Sequence, residues 1–190
     1  MPASVPLAEL MRDGGVARLH AAAAAGTRLR IDCAAAARLP AAFLAAALAA
    51  AGAGAAPILE GLAPAARQAV EAIDGAGLLA LGGAPRAPGP GPQRPFAVAL
   101  AGERLEVRVL PRARGTVRAE HLGHDWMRGV SCAELAIDLG AIEHLDSPLV
   151  AWLLQLCAAA APARVSLTRL SAQAATQLRQ LRLDHVMGLA

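Results

Sequence analysis

Two stretches of this chain are variants of one pattern. TRLRIDCAAAARLPAAFLAAALAA, residues 27–50, lies over AELAIDLGAIEHLDSPLVAWLLQL, residues 133–156, at an offset of 106. The overlay matches Leu29 with Leu135, Ile31 with Ile137, Asp32 with Asp138, Leu39 with Leu145, Ala45 with Ala151 and Leu48 with Leu154. At an offset of 108 it resumes, with LAPAARQAVEAI (62–73) over LSAQAATQLRQL (170–181). A slip of two residues between blocks is what a loop of different length produces, so the chain reads as two copies of one unit. Between them lies APRAPGPGPQRP, 84–95, whose Pro and Gly density favours an extended linker. The expected division is 1–83, linker 84–95, and 96–190, which suits two small cores within 190 residues.

Within each copy the periodicity changes from two to about 3.6. Leu135, Ile137 and Leu139 alternate with Glu134, Ala136 and Asp138, and Leu29, Ile31 and Cys33 alternate with Arg28, Arg30 and Asp32, as in a strand packed on one face. The run from Ser147 to about Ala160 is predicted to be a helix with Val150, Leu153, Leu154 and Cys157 as its core stripe. RVSLTRL (164–170) is a second strand, followed by a helix with Ala174, Leu178 and Leu181 on one face. GVARLHAAAAAG and TVRAEHLGHDWMRG supply a helix before the first strand of each copy, and FAVALAGERLEVRVL (96–110) reads as a hairpin turning near Gly102 and Glu103 that the first copy lacks. The class is α/β.

Composition removes several functions. All 18 basic side chains are Arg, there is no Tyr, and aromatic residues are 2%, so the net charge of +3 comes without a stacking platform for nucleic acid. Cys33, Cys132 and Cys157 form no CxxC pair and leave an odd count, which argues against a disulfide framework and for a reducing, cytoplasmic setting. MPASVPLAELMRDGG lacks the basic region and apolar core of a secretory signal. PAAFLAAALAAAGAGAAPIL, 40–59, is uncharged and long enough to span a bilayer, but Gly52, Gly54 and Pro57 break it, and a helix, a turn and a buried strand are expected instead of a membrane span.

HLDSPLVAWLL, 144–154, carries the chemistry of interest. A strand, IDLGAIEHLDS, then helix, strand and helix resembles the STAS domain, the sulfate-transporter and anti-sigma-antagonist module. The likeness covers most of 96–190, and 1–83 reads as a degenerate copy. It implies tandem STAS-like domains, each a small mixed β-sheet with helices packed along one side. In the anti-anti-sigma branch the phosphoacceptor is the second residue after the Asp, here Pro148, which has no hydroxyl. In the small STAS subunit of the bacterial phospholipid-transport ABC complex a hydroxyl directly follows the Asp, here Ser147 after Asp146. The first copy has Pro40, Ala41 and Ala42 in place of Asp146, Ser147 and Pro148. Ser147 and Pro148 also fit a helix cap and first-turn proline, and Asp146 has the same double reading, so capping and a regulatory role both remain open for this pair.

Beside the core stripe, Leu149, Trp152 and Leu156 form a second apolar row that a single small domain would leave exposed, so it is expected to meet a partner or the Phe43, Ala46 and Ala50 row of the first copy, unless a loop covers Trp152. His121 and His124 beside Asp125 lack a third metal ligand, and His20, His144 and His185 stand apart from nucleophile or acid motifs. No catalytic residues, cofactor or metal are expected. The leading expectation is a non-catalytic bacterial signalling adaptor of STAS type, binding an anti-sigma-factor or kinase-like protein or a sensor. The alternative is an accessory subunit on the ATPase of a phospholipid-transport ABC complex. An enzyme or small-ligand receptor comes third.

Overall fold

The computed structural model describes residues 4–12, 15–26, 28–82, 94–111 and 123–187. Most of the linker at 84–95, and His121 with the first part of the helix expected from 116, lie outside the described residues. The chain is mixed α/β. In the first half the order is β1 (Val5–Pro6), α1 (Leu7–Leu10), α2 (Gly15–Ala24), β2 (Arg28–Asp32), β3 (Leu39–Pro40), α3 (Ala41–Gly52), β4 (Ala56–Glu60), α4 (Pro64–Ile73) and β5 (Ala80–Leu81). The second half runs β6 (Phe96–Ala101), β7 (Arg104–Val109), a 3-10 helix (Asp125–Gly129), β8 (Val130–Ser131), β9 (Glu134–Asp138), α5 (Ser147–Ala160), β10 (Arg164–Thr168) and α6 (Ala172–Gln180).

The two sequence blocks fold alike. β2 and β4 pair in parallel through Ile31↔Leu59, and β9 and β10 do so through Ile137↔Leu167, which preserves the offsets of 106 and 108. The amide beyond each first strand extends the ladder, Cys33 N–H to Glu60 O at 2.9 Å and Leu139 N–H to Thr168 O at 3.1 Å. β1 pairs with β2 as β7 pairs with β9, always in parallel. Antiparallel pairing enters through the β6–β7 hairpin, whose Gly102 takes φ of +58°, a conformation glycine adopts without cost at the first position of a two-residue turn. The sheet expected to be mixed in both copies is therefore parallel throughout the described first half, β1-β2-β4-β5, because the hairpin belongs to the second half. The 40–59 run folds into α3, a turn and β4, and no helix among the described residues is long and apolar enough to cross a membrane.

The halves share one apolar core. Residues Phe96, Leu105, Val107 and Val109 turn inward from β6 and β7, where α3 packs over both strands and α4 over β6. α4 also lies along the 3-10 helix so closely that a Cβ on Gly129 would fall 2.0 Å from Ala65 O, a separation only glycine permits. β3 pairs with β8, joining the halves through Leu39↔Val130. Beside this ladder the Arg38 guanidinium donates to Val130 O at 2.9 Å, Ala159 O at 3.1 Å and Ala161 O at 3.2 Å, using carbonyls at the C-terminal end of α5 that no helical N–H reaches. Leu181, expected on the core face, ends α6 and is 54% exposed, because the helix stops before that turn closes over the sheet.

Candidate functional site

In a sheet of parallel strands, side chains and loops that can meet a ligand gather beyond the carboxyl ends of the strands. In the second half this edge holds the end of β9, the loop 139–146 and the start of α5. Asp138, placed by the alternation on a polar face, is 1% exposed, because β9 is central and two arginines close over it. Arg108, from β7, donates Nε–H to Asp138 Oδ2 at 3.0 Å. Arg169, just beyond β10, donates Nε–H to Oδ1 at 3.0 Å and pairs with Oδ2 through Nη2. Gly140 N–H donates to Oδ1 at 2.9 Å, closing a turn on the same carboxylate. Both arginines stay more than half exposed, and with Gly140 and Ala141 they line an open pocket of about 410 Å³. No motif announced this cluster; its one sequence signal was an Asp ending an apolar strand.

The loop that follows is braced by α6. Gln177 accepts from Leu145 N–H at 3.0 Å and donates to Leu145 O at 3.3 Å, and Ser171 Oγ donates to Glu143 O at 3.1 Å while accepting from Ala174 N–H. Ile142 and Leu145 turn into the core, so Gly140, Ala141, Glu143, His144, Asp146, Ser147 and Pro148 are presented outward. The helix cap is Asp146, not Ser147: its Oδ1 accepts from Leu149 N–H at 2.9 Å and its backbone is extended, leaving Ser147 as the first helical residue and Pro148 as the second. An Asp directly before the helix offers a charged acceptor one residue earlier than Ser147 can, and it takes the role. The Ser147 side chain is exposed.

The second row on α5 is not a free surface. Leu149, Trp152 and Leu156 are 1%, 2% and 0% exposed, while Val150 and Leu154 of the expected core stripe are half-buried. The cover comes from the same half: Trp152 packs on Phe96 with ring centroids 5.4 Å apart, and Phe96 stacks on Trp126 at 5.7 Å. Both indole N–H groups donate to Gly123 O, from Trp126 at 3.1 Å and Trp152 at 3.3 Å. Phe43 and Ala50 of the first-half row are buried too, but α3 meets β6, β7 and α2 rather than forming a facing row against α5. The row thus serves as core, with Trp152 under Phe96 and against Gly123 O, in place of a docking face.

His124 pairs with Asp125 at 3.7 Å, and no group of three metal-ligating side chains occurs among the described residues. Burial pushes the Cys157 thiol up to about 11, and burial followed by the nearby Asp32 charge pushes Cys33 up to about 11, so neither is a nucleophile at neutral pH. Cys132 is also raised, chiefly by burial. No family model, curated protein or solved structure matches this chain.

Proposed function

We propose that the chain is a non-catalytic regulatory adaptor built from tandem STAS-like domains, each a small β-sheet with helices along one side, and that it binds a protein partner through residues 140–148. One observation supports this reading. At the matching edge of the first half, Leu39 and Pro40 pair with β8 and are used to hold the halves together, whereas the loop before α5 is braced from behind and exposed in front. A rigid, exposed, polar loop meets a partner without a large ordering cost. Partners of the expected kind are an anti-sigma-factor or kinase-like protein or a sensor. The accessory-subunit reading, with an ABC ATPase as partner, is favoured by Ser147 itself: Asp146 does the capping, which leaves the hydroxyl directly after the Asp free for contact.

The test is affinity capture with the tagged full chain in extract of its native host, beside Ser147→Asp and a control, Arg67→Ala on the exposed face of α4. The expected result is a protein retained by the wild type and by Arg67→Ala and lost by Ser147→Asp; its identity as kinase-like protein, sensor or ABC ATPase separates the two readings. Retention of nothing specific, or equal retention by all three, removes the loop as the partner surface.

A further inference from the structure

We propose that Arg108 and Arg169 form a binding site for a phosphate group, in the pocket walled by Gly140 and Ala141 at the carboxyl edge of the second sheet. In both halves the Asp that ends the strand closes a turn, with Asp32 Oδ1 accepting from Ala34 N–H at 2.9 Å and Asp138 Oδ1 from Gly140 N–H at 2.9 Å. In the first half that suffices: Asp32 is exposed. The turn therefore does not require arginines, and the second half adds two.

Arg169 is held at a conformational cost. Its φ is +51°, in the left-handed region where a Cβ crowds the following carbonyl oxygen. The matching position in the first half is Gly61, at φ +67°, which adopts that conformation freely. The neighbours are exchanged as well. A Cβ on Gly61 would sit 2.8 Å from the Ala34 Cβ, while in the second half the position matching Ala34 is Gly140, which leaves room for Arg169. Thus Ala34 with Gly61 becomes Gly140 with Arg169, a paired change that admits a strained arginine beside the pocket. Strain kept in this way marks a site where the side chain is used.

Asp138 orients both guanidinium planes by holding their Nε–H groups, and Arg169 additionally by its Nη2. The Nη1 groups of both arginines have no protein partner among the described residues. The two guanidinium groups face two carboxylates, Asp138 buried between them and Glu106 at the rim 3.6 Å from Arg108 Nη2, so the pocket carries no excess charge and its attraction for an anion rests on the guanidinium N–H donors that Asp138 leaves over. Forked donors from two sides suit a tetrahedral oxyanion. No aromatic side chain lines the pocket, so the ligand is inorganic phosphate or a non-aromatic phosphate monoester rather than a base-stacked nucleotide. The pocket shares Gly140 and Ala141 with the proposed partner loop at 140–148, but the observations on Arg108 and Arg169 do not use that reading, and the titration below needs no partner.

The test is a titration of the full chain with inorganic phosphate, methyl phosphate and acetate at constant ionic strength, followed by the amide signals of Gly140 and Ala141 and the Arg169 Nε–H signal. Saturable shifts with phosphate or its ester, at a dissociation constant on the order of 1 mM, are expected, with acetate at least tenfold weaker; which of the two phosphates binds more tightly identifies the source. Arg169→Gly restores the first-half residue at its left-handed position, is expected to fold, and weakens binding at least tenfold. Arg108→Gln does the same and supplies the comparison should Arg169→Gly fail to fold. Shifts no larger than those from sodium chloride, acetate binding equal to phosphate, or variants that bind within twofold of the wild type each overturn the assignment.

Discussion

Trp152→Ala separates an internal role for the α5 row from a docking role. Trp152 is 2% exposed, rests on Phe96 and donates to Gly123 O. Removing an indole that buries roughly 150–250 Å² at about 25 cal/mol per Å² forfeits on the order of 4–6 kcal/mol. Partial collapse of the site brings this to about 3–5 kcal/mol, the range of large aromatic truncations. With a urea slope of about 2 kcal/mol per M, the midpoint falls by roughly 2 M, a shift that circular dichroism resolves easily. Trp152→Phe keeps most of the packing and loses the bond to Gly123, so about 1–2 kcal/mol is expected. In a double-mutant cycle with Phe96→Ala, ring contact predicts a coupling of about 0.5–1.5 kcal/mol. A Trp152→Ala chain that unfolds within about 0.3 M of the wild type, with circular dichroism unchanged, would refute the burial argument and restore the row as a surface.

Asp146→Ala removes the acceptor for Leu149 N–H and is expected to cost about 1 kcal/mol, while Ser147→Ala stays within about 0.5 kcal/mol; urea midpoints of the two variants check the order, and a reversed order returns the cap to Ser147. The alkaline limb of stability should report thiols, since the chain has neither Lys nor Tyr. Cys33 and Cys157 titrate near 11 in the folded chain against 9.0 unperturbed, so their contribution is complete below about pH 9 and is lost as the pH rises through about 11. At pH 10 the loss is about 1.4 kcal/mol for each of these two cysteines, seen as a lower urea midpoint than at pH 8 and reduced in Cys33→Ala with Cys157→Ala to what the raised Cys132 thiol contributes; a wild-type midpoint unchanged between the two pH values contradicts the shift.

Local pattern sufficed where the chain's own periodicity determines structure. The alternation at Leu29, Ile31 and Cys33 and the 3.6-residue spacing from Ser147 to Ala160 became β2 and α5, and Gly102 marked the hairpin turn. What stayed hidden depends on atoms far away in sequence. Asp138 reads as a polar-face residue until Arg108 and Arg169 arrive from other strands. Trp152 reads as exposed until Phe96, 56 residues earlier, is placed against it. Arg38 carries no signal at all, yet it satisfies the end of a helix more than 100 residues away. Which of two neighbours caps α5 is hidden for a different reason: Asp146 and Ser147 are both good caps, and only the helix phase chooses between them, in favour of Asp146.

Two units that share three parallel strands, β1-β2-β4 in the first half and β7-β9-β10 in the second, have the same kind of loop at the same edge, and a chain that packs them together can place only one such loop in the junction unless the pairing is symmetric. Here it is asymmetric: Leu39–Pro40 pairs with β8, and Arg38 beside it reaches the end of α5, whereas the corresponding Leu145–Asp146 is tied back to α6 by Gln177. The side chains differ accordingly. At the joined edge Pro40 precedes α3 with no side-chain cap, and Ala41 and Phe43 are buried, as a covered surface demands. At the open edge Asp146 caps α5, Ser171 caps α6 and charged groups surround Asp138, as a surface in contact with water demands. The small and apolar residues at 40–42 therefore suit the place where that loop sits in the junction, and the polar residues at 138–147 suit an edge that the junction leaves open.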